Sequence, residues 1–164
     1  MTVTNGQLNL ANGPYNELMG GIERANLAIR GIRQYGNPSV NADMAELLGE
    51  ALTARALLYT ELLKAYGEVP ARFNPIDAET IYLNKSDKDV IFKQLLADLE
   101  EAFTYMKWPL KSAATATTDR PSLAFAKGLY ARLALMASGY SLRPAEGAVG
   151  TGDAGTVRLS NDPE

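Results

Sequence analysis

From Pro14 onward the chain alternates long stretches with apolar residues at three- and four-residue steps and short stretches rich in Gly, Pro and Asn. Tyr15, Leu18, Met19, Ile22, Ala25, Asn26, Ile29 and Ile32 fall on one side of a helix predicted over 15–35, since that spacing returns a side chain to the same face each turn. Pro14 suits a first helical position, where its fixed φ is already helical and its missing N–H is not needed. Gly36 supplies a residue able to adopt a left-handed cap, and Asn37-Pro38-Ser39 reads as a turn. A second stripe, from Met44 through Leu48, Leu52, Arg55, Tyr59 and Leu63 to Tyr66, predicts a helix over 41–66 that stops at Gly67. Asn41 can cap it, and Asp43 and Glu46 place negative charge at its positive end. So short a turn between two long helices makes an antiparallel hairpin the expectation, and Ala51, Ala54 and Ala56 would let a neighbour approach closely.

Residues 68–85 then form a long connection containing Pro70 and Pro75, within which Ile81-Tyr82-Leu83 is expected as a short extended or docking element. Ser86-Asp-Lys-Asp89 has the form of a capping box with Asp in place of Glu, opening a helix over 88–107 whose stripe is Val90, Ile91, Leu95, Leu99, Ala102, Phe103 and Met106. Lys111 to Thr118 reads as a flexible loop, and a fourth helix follows over 121–138. That helix is apolar around most of its surface, which predicts a central position. The pattern therefore predicts an all-α domain over 1–140, built from two antiparallel helix pairs of tetratricopeptide type, with a polar lead-in over 1–13 and a Gly-rich loop or disordered tail over 141–164. Ser160-Asn-Asp-Pro-Glu164 reads as a helix start, so the expectation is that the chain belongs to a longer protein.

Composition narrows the chemistry. With 164 residues, 46% of them hydrophobic, the chain can bury one sizeable core. A net charge of -3 without a basic stripe argues against nucleic acid as a partner. No cysteine and no histidine are present, which removes disulfides, Cys- or His-based zinc sites and every Ser-His or Cys-His dyad. The first residues have neither the basic nor the apolar region of a signal peptide, and the longest apolar run, Leu129 to Ala137, is broken by Arg132. Asp98, Glu100 and Glu101 are acids on one helix, but consecutive helical positions point about 100° apart and cannot flank one glycosidic bond. No glycine-rich phosphate loop is present, so no enzyme activity and no cofactor are expected.

Five residues stand out. Arg55 and Arg132 lie inside apolar helical stretches without an acid three or four residues away, so a buried guanidinium there needs a partner from another element. Asp98 is the favoured partner, beside Leu95 and Leu99, with Glu100 and Glu101 as others; a clamp for an anionic ligand or a surface-snorkelling arginine are the competing roles. Asn26, polar on an apolar face, is expected to satisfy the backbone of a neighbouring helix or loop. Trp108, the one tryptophan, is the candidate ligand-binding residue, its competing role being a hydrophobic plug at a helix end.

Several of these residues sit in longer patterns: Leu18-Met-Gly-Gly-Ile22-Glu-Arg-Ala25-Asn26, Ala54-Arg-Ala-Leu-Leu-Tyr59, Tyr66-Gly-Glu-Val-Pro70, Leu96-Ala-Asp-Leu-Glu-Glu-Ala102, the Ala-rich Ala124 to Leu135, and Ser138-Gly-Tyr-Ser-Leu-Arg-Pro144. In this order and spacing they resemble the SusD/RagB family, the surface nutrient-binding proteins of Bacteroidota, with Met19 standing where the family more usually has an aromatic residue. The resemblance implies a tetratricopeptide-like helical scaffold within a longer lipoprotein of the outer membrane. It also implies binding of a nutrient, most often an oligosaccharide, and its delivery to a SusC-like TonB-dependent transporter. The family's signal peptide, lipidated cysteine and C-terminal half have no counterpart in these residues, and no family ligand residue is carried onto this chain. The other function open to such helices is that of a protein–protein adaptor without a nutrient.

Overall fold

The computed structural model describes residues 13–143 and 155–160; the lead-in over 1–12, the middle of the tail and the helix start at 161–164 lie outside the described residues. Four helices carry the fold: α1 Pro14–Gly31, α2 Ala42–Tyr66, α3 Lys88–Tyr105 and α4 Leu123–Ser138. A π-helical turn, Ile32–Gly36, extends α1, and a two-stranded antiparallel ladder pairs β1 Ser141–Arg143 with β2 Thr156–Arg158, Leu142 opposite Val157. α2 packs on α1 and α3 on either side, and α4 packs on the far side of α3.

The centre of the molecule is thus α2, not α4 as its uniform apolarity predicts. The buried side of α2 includes Leu48, Leu52, Ala56, Tyr59, Leu62 and Leu63, whereas α4 buries Leu123, Ala126, Leu129 and Leu133. The outer side of α4 owes its apolar look to the small Ala124, Gly128 and Ala131, which cost little in water, and to two larger residues left outside, Phe125 at 45% and Leu135 at 75% exposure.

Local chemistry sets the boundaries, at several points otherwise than the pattern implies. Asn41 caps α2, its Oδ1 accepting the Asp43 and Met44 amides at 3.2 Å. The left-handed residue after α1 is Asn37, with φ 48°, not Gly36. Gly36 sits instead at a close approach: a Cβ there would lie 3.2 Å from the Ile32 side chain and 3.3 Å from that of Met44. Gly67 does take positive φ, 71°, at the end of α2, and its amide reaches the Leu63 carbonyl. The cap of α3 is Asp87, not Ser86, its carboxylate accepting the Asp89 amide at 2.9 Å. The Ser86 hydroxyl instead accepts the Ala71 amide, which ties the start of α3 to the preceding connection. Helix α3 ends before Met106, whose extended backbone turns its side chain onto Gly49.

Two stretches expected to be loose are organised by a single polar residue each. Between α3 and α4 the buried Thr115 hydroxyl accepts the Lys111 and Ser112 amides and donates to the Trp108 carbonyl, which folds 108–115 into a compact turn. In the tail, the fully buried Arg143 ends α4. Its Nη2 donates to the Ala137 carbonyl at 2.7 Å and its Nη1 to the carbonyls of Gly139 and Arg158, while its Nε faces the Asp89 carboxylate at 3.0 and 3.1 Å. Carbonyls left open at a helix end are satisfied from outside the helix, and two short strands form where a featureless tail is predicted.

The interior is organised around Arg55. Four of its five N–H groups are engaged: Nε and Nη2 fork onto the two oxygens of Asp98 on α3 at 2.9 and 2.8 Å, and Nη1 donates to Asn26 Oδ1 on α1 at 2.8 Å and to the Phe73 carbonyl at 2.9 Å. Gln94 adds a hydrogen bond to Asp98 at 2.9 Å, and Asn26 Nδ2 donates to the carbonyls of Arg72 and Asn74. Beside it the Tyr59 hydroxyl accepts the Arg72 amide at 2.7 Å and faces the carbonyls of Pro70 and Arg72. Three helices and the connection after α2 therefore meet in one buried polar network. Burial is the main influence on the Asp98 carboxyl and raises it above the ordinary carboxylate range, with the Arg55 charge opposing.

Two outcomes follow from this network. Asp98→Leu leaves the Arg55 guanidinium buried without a counter-charge and should cost about 3–5 kcal/mol in urea unfolding, while Arg55→Met on the same chain should recover part of that loss; a double variant less stable than Asp98→Leu alone would contradict the pairing. Burial also lifts the Tyr59 phenol from 10.0 to about 12. The folded state then keeps a proton that the unfolded state loses, so the contribution of Tyr59 is complete below about pH 10 and declines between about pH 10 and 12. Stability measured across that window should fall more steeply in the parent chain than in Tyr59→Phe, and parallel slopes would refute the assignment.

Candidate functional site

The residues singled out in the sequence divide into an interior set and a surface set. Arg55, Asp98 and Asn26 stand in the buried network, where their polar atoms are committed to one another and to the loop backbone. Arg132 is on the exposed side of α4 and does not reach Asp98, because α3 presents that carboxylate toward α2 and α4 covers a different part of α3. Trp108 is 52% exposed, so it plugs no helix end; its backbone, not its ring, is what the 108–115 turn uses. Glu100 and Glu101 serve different neighbours, Glu100 accepting the Tyr130 hydroxyl from α4 at 2.8 Å and Glu101 pairing with Arg33 beyond α1. Of the tyrosines, Tyr15 and Tyr66 pack edge to face at 5.1 Å.

Two arginines that periodicity does not mark also prove structural. Arg72 is buried in the connection after α2 and donates Nη1 to the Thr80 carbonyl at 2.7 Å and Nη2 to the Ile81 carbonyl at 3.2 Å. It holds the backbone of the segment expected to dock and leaves its side chains outward, Tyr82 being 91% exposed. Arg143 is the other. Both lie outside helices, where no repeating spacing exists to separate a buried residue from an exposed one.

Among the described residues, two concavities offer places for a ligand. A groove of about 370 Å³ between α3 and α4 has Phe92, Leu96 and Ala134 on its floor and Asp89, Lys93 and Glu100 at its rim. Lys88, next to Asp89 in the chain, is held below the ordinary lysine range by burial, with the Arg143 charge adding to the effect. A second hollow of about 350 Å³ lies between the end of α1 and the connection after α2, lined by Asn26, Arg30, Arg33, Gln34, Phe73 and Pro75 among others. Among the described residues no cluster of acids is placed to hold a metal, and no helix is long and apolar enough to cross a membrane. Both hollows combine apolar walls with a few polar groups, which suits reversible binding of a small polar molecule.

No protein-family model matches the chain, and no curated protein matches it in sequence. Solved structures do. A SusD superfamily protein from Parabacteroides distasonis matches with a TM-score of 0.67 at 22% identity, over 78% of this chain and 26% of its own. A laminarin-binding SusD-like protein matches at 0.66 and 22% identity, over 74% and 26% of the two chains. Surface glycan-binding protein A from Bacteroides uniformis matches at 0.63 and 21%, over 79% and 28%. This chain thus spans about a quarter of the length of the structures it resembles. Its four packed helices, centred on α2, have the SusD-like fold.

Proposed function

We propose that the chain is the helical scaffold of a carbohydrate-binding protein of the bacterial cell surface, and that the protein hands its glycan to a SusC-like TonB-dependent transporter in the outer membrane. The observation that supports this most is the likeness, over about three quarters of the chain, to structures described as laminarin-binding and surface glycan-binding. The residue patterns that resemble the SusD/RagB family agree with it: Asn26, Arg55, Tyr59 and Asp98, each from a different pattern or a different helix turn, meet in the one network that holds the connection after α2. On this reading the four helices supply a rigid frame, and the step performed is binding, without catalysis. The protein is held at the outer membrane as a lipoprotein. Affinity comes from stacking of sugar faces on aromatic rings and from hydrogen bonds to hydroxyls. Trp108, exposed beside the 108–115 turn, is the aromatic residue proposed to contribute.

Native gel electrophoresis through laminarin, xyloglucan and starch provides the test. The protein should be retarded by at least one of them, and Trp108→Ala should reduce that retardation without moving the unfolding midpoint. Membrane extracts of the source cells should yield a TonB-dependent transporter with it on affinity capture. No retardation by any glycan, with capture of a non-membrane protein in place of a transporter, would favour a helical adaptor and sink the nutrient reading.

A further inference from the structure

The hollow at the end of α1 has a charge character that the groove between α3 and α4 lacks. Arg30 and Arg33 are one helical turn apart and share a wall of it, and Gln34 lies next to them. Arg30 is exposed and takes part in no ion pair among the described residues. Arg33 has Glu101 as its ion-pair partner, with the two side chains 49% and 33% exposed. An exposed pair of that kind contributes little and exchanges readily for a better-placed anion. Opposite the arginines stand Phe73 and Pro75, an apolar wall fixed in place because the Phe73 carbonyl and the Asn74 carbonyl are bonded to Arg55 and Asn26. The Phe73 ring is held as well, 5.2 Å from the Tyr59 ring and with the Arg55 guanidinium 5.3 Å from its centroid. Part of the arginine wall is the π-helical turn Ile32–Gly36, a backbone form found frequently at functional sites.

Two guanidinium groups on one wall match a carboxylate, which they can hold by parallel N–H···O bonds. The amide of Gln34 can serve a hydroxyl, and the apolar wall can take the C–H face of a ring. A volume of about 350 Å³ lies near the lower end for small-ligand pockets and suits a ring or two rather than a long chain. We propose that this hollow is a subsite for an acidic sugar, with the carboxylate of a uronic acid held between Arg30 and Arg33 and the sugar ring against Phe73 and Pro75. The proposal rests on the carbohydrate reading and narrows it to a charged class. Glu101 acts there as a competitor that occupies Arg33 until a carboxylate arrives.

Calorimetric titration of the 164-residue chain with tetragalacturonate and with its methyl ester tests this. Tetragalacturonate should bind, more weakly as salt rises, and the uncharged ester should not. Arg30→Gln and Arg33→Gln should each weaken binding about tenfold, and Glu101→Gln should tighten it, a gain that loss of folding does not produce. Thermal unfolding of each variant confirms that the exposed substitutions leave the fold intact. Absence of tetragalacturonate binding, equal binding of the ester, or arginine variants that bind as the parent does would overturn the subsite. If laminarin or another neutral glycan still retards the protein while tetragalacturonate does not bind, the acidic subsite falls and the carbohydrate reading stands; if neither binds and a non-membrane protein is captured in place of a transporter, both fall.

Discussion

A guanidinium cannot be left bare inside a protein, and the fold of this chain is arranged so that Arg55 is not. Removing a charge from water costs several kcal/mol after relaxation, so the position is tolerable only with a counter-charge and with the remaining donors engaged. Asp98 supplies the charge from α3, Asn26 an acceptor from α1, and the Phe73 carbonyl a third contact from the connection after α2. Each contact has a direction, so the network specifies how the three helices sit along and about their axes, which non-directional apolar contacts around Leu52, Leu95 and Leu99 do not do alone. The hydrophobic core contributes most of the driving force; the arginine selects one arrangement of it.

The same device recurs wherever the backbone leaves a helix. Arg72 spreads its guanidinium over the carbonyls of Thr80 and Ile81, and Arg143 spreads its own over those of Ala137, Gly139 and Arg158. A planar group with five donors is well suited to collecting carbonyls that no regular ladder serves. The connections are therefore shaped by side chains from within, and the surfaces they present, including the wall of Phe73 and Pro75, are fixed before any ligand arrives. That pre-organisation is what a binding surface needs if ordering costs are not to consume its affinity.

The contrast between interior and exterior arginines also separates structure from function. Arg55, Arg72 and Arg143 are buried and turn their guanidinium groups onto acceptors inside the fold. Arg30 and Arg33 sit at the surface of a hollow, one without an ion pair among the described residues and one in an exposed pair. Of these five guanidinium groups, only those of Arg30 and Arg33 stand at the surface. The acids follow a similar division, Asp98 and Asp89 being used internally while Glu101 stands in an exposed pair with Arg33.

The helices and the direction of their buried faces were legible from the chain alone, because a 3.6-residue period in apolar side chains is a local property that packing reinforces. So were the Asn41 cap and the glycine end at Gly67, where local backbone geometry decides the residue type. What local pattern could not rank was which helix others would cover. Arg55 and Arg132 look alike in sequence, each in an apolar stretch without a nearby acid, yet one is enclosed between two neighbours and the other faces water. The same blindness placed α4 in the centre, since alanine and glycine count as apolar without requiring burial. Thr115 and Arg143 bond to groups brought near by the fold, and the tail gained its two strands from such contacts and not from any alternation of its own. The sequence by itself determined the helices; the tertiary structure decided which charges would be spent inside and which left at the surface, because burial depends on what lies opposite a residue and not on its neighbours in the chain.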